Sequence, residues 1–160
     1  FMLVSFLVMS VISFCMICLS CLLTYEILGH AWTLLPRLTV RTRSRLLLVA
    51  VPILFAHILS IWMYALAYWL LEQYTPFGTL SGQIMAAEAS YASFVERLYF
   101  SATTYTSLGF GDIVPTHDLR MLGSAEVLNG LMMIAWTASF TYLSMESFWP
   151  VSHRKRRRED

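Results

Sequence analysis

Apolar residues dominate three long stretches of this chain, and polar residues gather between them. Phe1–Tyr25 meets no charge before Glu26, Leu46–Leu71 contains none, and Met121–Trp149 carries only Glu126 and Glu146. A helix crosses a bilayer with about 20 predominantly apolar residues, so each stretch predicts a spanning helix. A shorter pattern follows in Tyr91–Tyr105, where Phe94, Leu98 and Ala102 recur at helical spacing among polar residues. It is too short to span and suits a re-entrant helix, which is tolerated only where protein surrounds it or water lines it. Before it, Pro76, Gly78 and Gly82 predict an irregular loop over 72–90. The expected fold class is therefore an all-α membrane protein with three transmembrane helices and one re-entrant helix.

Composition agrees: 58% of the 160 residues are hydrophobic and 13% charged, against about 25% charged in an ordinary soluble domain. The first stretch lacks a basic flank in front and is too long for a signal-peptide core, so it reads as a span. Charge placement predicts orientation. Arg37, Arg41, Arg43 and Arg45 lie between the first two spans, and Arg154, Lys155, Arg156, Arg157 and Arg158 follow the third. Only Arg97 and Arg120 lie between spans two and three. By the positive-inside rule the first connector and the C-terminal tail are cytoplasmic and the N-terminus is outside. The basic tail is expected to anchor topology against anionic lipid rather than to bind nucleic acid.

The candidate chemistry lies just after the re-entrant helix, in Thr106-Ser107-Leu108-Gly109-Phe110-Gly111-Asp112. Glycines at alternate positions adopt backbone angles closed to other residues. If the carbonyls of this segment all point one way, four copies around an axis stack rings of oxygen that replace the hydration shell of a potassium ion. The Ser107 hydroxyl can add a ring at the inner end. The helix before the segment aims its partly negative C-terminal end at the same place, which favours a cation.

Thr106–Asp112 resembles the potassium-channel signature T-x-V-G-Y-G-D, in the variant with Phe for Tyr familiar from two-pore-domain channels, and Leu98–Pro115 looks like a whole channel pore loop. The third span, through Gly123–Gly130, is similar in spacing to channel inner helices, with Gly130 at the hinge position. The layout resembles small bacterial members of the ion-channel family that carry one extra helix ahead of the two-helix pore unit. The resemblance implies a pore domain over 46–149: outer helix 46–71, extracellular loop 72–90, pore helix 91–105, filter 106–112 and inner helix 121–149. A peripheral helix 1–28, a basic cytoplasmic loop 29–45 and a basic tail 150–160 complete the chain. It implies a multi-pass protein of a bacterial inner membrane, with K⁺ in the filter, membrane lipids as neighbours and no cofactor. Ser107 and Leu108 depart from the usual Thr and Val or Ile. Tyr99 and Phe100 stand where many channels carry a pair of pore-helix Trp residues.

Several finer expectations follow. Ions are held by Thr106, Ser107, Leu108, Gly109, Phe110 and Gly111. Asp112, tied to pore-helix Trp in many channels, is expected to accept a hydrogen bond from Tyr99, while Phe100 and Phe110 offer only ring packing. With Gly130 as the hinge, helical spacing puts Leu131, Ile134, Ala138 and Tyr142 on a pore-facing stripe, with a dewetting constriction near Tyr142. Glu126 and Asn129 share a face. The resemblance turns Glu126 toward the pore helix, with Thr103 and Thr104 as its nearest polar groups. A buried carboxyl there is either structural glue or a link from the inner helix to the filter.

The remaining candidates have plainer readings. His57 is expected to be a hydrogen-bonded packing residue rather than a proton sensor. Cys15, Cys18 and Cys21 form a stripe that inside a bilayer reads as small apolar residues, with no acid or His beside them before Glu26. No span carries the repeated arginines of a voltage sensor. One filter strand cannot surround an ion, so closure needs three further identical subunits in a cyclic homotetramer. The expected function is passive, potassium-selective conduction. A weakly selective monovalent cation channel shares this architecture. A membrane enzyme ranks far behind, since the chain has neither an H-E-x-x-H motif nor a nucleophile–base pair at membrane depth.

Overall fold

The computed structural model describes residues 2–34, 42–82 and 90–148. Six elements follow in order: α1 (Met2–Leu34), α2 (Thr42–Tyr74), β1 (Leu80–Gly82), α3 (Ser90–Tyr105), β2 (Ile113–Pro115) and α4 (Leu119–Phe148). Arg37, Arg41 and the basic tail, on which the expected orientation partly rests, lie outside the described residues.

The helices run further than the apolar pattern alone suggests. α1 passes Glu26 and continues to Leu34, because its polar residues bond its own backbone: His30 Nδ1 meets the Glu26 carbonyl at 2.7 Å and Thr33 Oγ1 donates to the His30 carbonyl at 2.9 Å. α2 starts at Thr42 and contains Pro52 without breaking, as membrane helices tolerate when neighbours re-satisfy the backbone. The expected cytoplasmic loop 29–45 is thus helical at both ends.

Among the described residues, two helices are long and apolar enough to cross a membrane, over Leu3–Leu34 and Leu47–Tyr74. Only 17% and 22% of their most apolar windows are buried, so neither is the core helix of a soluble fold. Leu3, Val11 and Phe14 of α1 and Leu47, Val51 and Leu54 of α2 stand exposed, a patch far larger than a soluble monomer presents to water. α4 has 30 residues, roughly 45 Å at 1.5 Å per residue. It carries more polar groups, and Glu126, Asn129, Thr137 and Ser144 are turned inward and buried.

α1, expected at the periphery, packs against both α2 and α4. Met9 enters the main core beside Tyr64 and Tyr68 of α2, Phe100 and Tyr105 of α3 and Met133 of α4. Ser20 meets Ser60 of α2 at 3.1 Å, and Trp32 meets Phe140 of α4 edge to face at 5.7 Å.

The all-α expectation misses one small feature. β1 and β2 form an antiparallel ladder with Leu80 opposite Pro115, Ser81 opposite Val114 and Gly82 opposite Ile113. Each strand has three residues, too few for an alternating pattern to show in sequence. The ladder ties the loop after α2 to the segment leaving Asp112. Gly78 and Gly82 allow this: a Cβ on either would fall 2.3 Å from the Thr116 carbonyl oxygen or 2.4 Å from that of Asp112.

Candidate functional site

α3 ends where the candidate filter begins, and the filter caps it. Ser107 takes φ 56, the left-handed conformation that closes many helices. The Ser107 amide donates to the Thr104 carbonyl at 2.9 Å and the Gly109 amide to the Thr103 carbonyl at 3.1 Å. Thr106 Oγ1 donates to the Ala102 carbonyl at 2.7 Å. The carbonyls of Ala102, Thr103 and Thr104 near the end of α3 are thereby satisfied by the segment they precede.

Ser107, Gly109 and Gly111 have φ of 56, 51 and 79, while Leu108 and Phe110 between them stay out of the positive region. Alternation of left- and right-handed residues is the backbone pattern that can turn successive peptide planes the same way, with amides on one side and carbonyls on the other. An ordinary strand would alternate them. Thr106–Asp112 is exposed along its whole length in the single chain, open to further copies on an axis.

Beyond the filter, Tyr99 Oη donates to Asp112 Oδ2 at 2.7 Å, and Asp112 Oδ1 accepts the Ile113 amide at 3.0 Å. The hydrogen bond to Asp112 raises the pKa of the exposed Tyr99 hydroxyl and keeps it the donor. Phe100 is buried and sets its ring edge-on to Tyr68 at 5.1 Å. Within the chain it therefore packs on α2, while Phe110 stays exposed.

Glu126 faces α3, but its partners differ from those expected. Ser101 Oγ lies 2.6 Å from Glu126 Oε1, and Tyr68 Oη donates to Glu126 Oε2 at 2.6 Å. Thr103 instead spends its hydroxyl on the Phe100 carbonyl of its own helix at 2.9 Å. Asn129 shares the buried face with Glu126 and donates from Nδ2 to Tyr64 Oη at 3.2 Å. α2, α3 and α4 are thus joined by polar contacts.

One turn lower, both His57 ring nitrogens are engaged. Nδ1 lies 3.0 Å from Tyr105 Oη of α3 and Nε2 3.1 Å from Thr137 Oγ1 of α4. The Thr137 hydroxyl donates to the Met133 carbonyl at 2.9 Å, so it accepts from Nε2–H, and Nδ1 accepts from Tyr105. Gly130 meets the same end of α3: a Cβ there would fall 1.9 Å from the Tyr105 carbonyl oxygen. Close packing is reason enough for glycine at this position.

Leu131, Ile134, Ala138 and Tyr142 lie on the exposed side of α4, opposite the buried Met133 and Thr137. Cys15, Cys18 and Cys21 are free thiols, and no group able to hold a metal ion occurs among the described residues. The sequence reading did not single out Tyr68, Ser101 or Tyr105, all of which take part in these contacts. Tyr64 and Tyr68, one helical turn apart on an apolar span, were the available signal, since buried Tyr hydroxyls seek partners.

No curated protein and no solved structure matches the chain. The sequence profile of the ion channel family matches residues 53–145. That match covers more than half of the chain, from α2 through the candidate filter almost to the end of α4, and the chain belongs to the ion channel family.

Proposed function

We propose that this chain is one subunit of a homotetrameric channel that conducts potassium ions passively and selectively. The observation that carries the reading is the alternation of φ along Ser107–Gly111, the backbone pattern able to set a row of carbonyls facing one way. Four such rows, with the Ser107 hydroxyls, would supply stacked oxygen rings matched to dehydrated K⁺. α2 is then the outer helix and α4 a third crossing whose exposed face, with Leu131, Ile134, Ala138 and Tyr142, lines the cavity. The N-terminus is outside and the C-terminus cytoplasmic.

Purified protein in liposomes tests this directly. A K⁺ gradient should drive flux, and reversal potentials in mixed K⁺ and Na⁺ should follow the K⁺ gradient. Flux with reversal near zero in opposed K⁺ and Na⁺ would mean a weakly selective cation pore. No flux of either ion would reject the channel reading.

A further inference from the structure

Resting on the pore reading above, we propose that Glu72 and Arg97 form a clamp that holds the outer end of the filter in its conducting shape, a positioning role separate from the Tyr99–Asp112 bond. Glu72 sits in the last turn of α2, and its two carboxylate oxygens serve different elements. Oε2 accepts from Arg97 Nε of α3 at 2.6 Å, and Oε1 accepts the Leu80 amide, the first of β1, at 2.5 Å. Both side chains are largely buried, with 13% of Arg97 and 8% of Glu72 exposed, and Glu96 lies 3.7 Å from Arg97 Nη1.

The contacts close on themselves. Arg97 and Tyr99 stand two residues apart on α3. From Tyr99 a hydrogen bond reaches Asp112, the last filter residue. The Asp112 carbonyl lies against Gly82, whose strand pairs with the segment after the filter. Two residues back along β1 is Leu80, held by Glu72, and Glu72 returns to α3 through Arg97. The loop before β1 is fastened to the same segment: the Thr116 amide donates to the Thr79 carbonyl at 2.9 Å, and the Asp118 amide to the Phe77 carbonyl at 3.0 Å. The filter exit is therefore gripped from two sides, by Tyr99 directly and by the ladder that Glu72 anchors. With the Glu72 charge removed, the buried Arg97 loses its 2.6 Å ion pair and keeps Glu96 at 3.7 Å, and β1 loses a charge-assisted bond at its first amide.

Glu72→Gln tests the clamp in liposomes or bilayers, because Gln keeps the shape and an acceptor for Leu80. Tetramer assembly, current decay in sustained recordings and the dependence of decay on external K⁺ are measured together. The expected result is an assembled tetramer whose current decays about tenfold faster or more, since loss of one partner of a buried pair is worth over a decade in an equilibrium. Raised external K⁺ should slow that decay. The swap Glu72→Arg with Arg97→Glu should restore part of it, and Glu72→Gln combined with Tyr99→Phe should be non-additive. Decay equal to the wild type in an assembled Glu72→Gln channel would overturn the clamp. So would failure of both Glu72→Gln and the swap to assemble, which would make the pair a folding element alone. A wild-type protein that passes no K⁺ would instead remove the pore reading beneath it.

Discussion

Gly130 of the inner helix lies so close to Tyr105, the last residue of α3, that a Cβ would fall 1.9 Å from the Tyr105 carbonyl oxygen and 3.2 Å from its ring. The obstacle is backbone, so no side-chain rotation relieves it. Gly130→Ala must push α4 away from the end of the pore helix, at about 1–3 kcal/mol as for other overpacked sites. The tetramer should melt at lower temperature and lose selective current together. A glycine that served only as a hinge would alter open probability and leave melting and selectivity unchanged, so thermal denaturation beside single-channel recording separates the two roles.

Gly109 presents the opposite case. Nothing lies within 4 Å of a Cβ built there, yet φ is +51. The cost of Gly109→Ala is conformational, roughly 1–2 kcal/mol for a left-handed residue. The expected variant assembles normally but conducts no selective K⁺ current, because its backbone relaxes and turns a carbonyl out of the row. Retained selective flux in Gly109→Ala vesicles would contradict the filter assignment.

The exposed Tyr99–Asp112 bond predicts a kinetic effect rather than a loss of fold. Tyr99→Phe should assemble and melt like the wild type and show faster current decay, slowed by external K⁺. The bond to Asp112 raises the Tyr99 pKa, so the protonated donor is favoured. Its bracing is fully present below the ordinary tyrosine value near 10 and is lost as pH rises through the raised one. Wild-type decay should therefore stay slow through neutral pH and quicken only under strongly alkaline conditions, and Tyr99→Phe should lack that alkaline limb. Identical decay in both proteins at all pH values would show the bond to be idle.

These sites differ in how far they could be seen from the sequence. Thr106–Asp112 is legible because its constraint is local: alternate positions must accept positive φ, and Gly109 and Gly111 do. The Tyr99–Asp112 bond spans only 13 residues of a helix and its exit loop, so spacing nearly fixes it. The partners of Glu126 depend instead on how three helices are rotated about their axes. Ser101 and Thr104 lie one turn apart on one face of α3 and Thr103 lies on another, and the apolar pattern of that helix does not choose among them. In the Glu72–Arg97 pair, Arg97 reads from sequence only as a topology signal and Glu72 only as the start of a loop. Only the β1–β2 ladder reveals that Glu72 also reaches the filter exit.

Glu126 carries the last prediction. Ser101 has one hydroxyl hydrogen and two acceptors in reach, Glu126 Oε1 at 2.6 Å and the Ile61 carbonyl at 2.9 Å. Tyr68 donates to the other carboxylate oxygen in either case. If Glu126 is ionised, Ser101 donates to it and the Ile61 carbonyl loses a partner. If Glu126 is protonated on Oε1, it donates to Ser101, whose hydrogen turns to Ile61 of α2. One proton on the inner helix thus decides whether the pore helix is bonded through Ser101 to α4 alone or to α2 as well. Glu126→Gln places an amide N–H₂ where the protonated oxygen would donate and keeps a carbonyl for Tyr68. It should assemble normally, with a stability change under about 1 kcal/mol, and conduct at every pH as the wild type does at its acid limit. Glu126→Ala should differ sharply: Ser101 can turn to the Ile61 carbonyl, but the buried Tyr68 hydroxyl is left short of its acceptor, at about 1–3 kcal/mol, and the assembled protein should melt earlier. A Glu126→Gln channel that retained the full pH response of the wild type would place the titrating group elsewhere, with His57 between Tyr105 and Thr137 the next residue to replace. One that failed to assemble at all would reduce Glu126 to glue between helices.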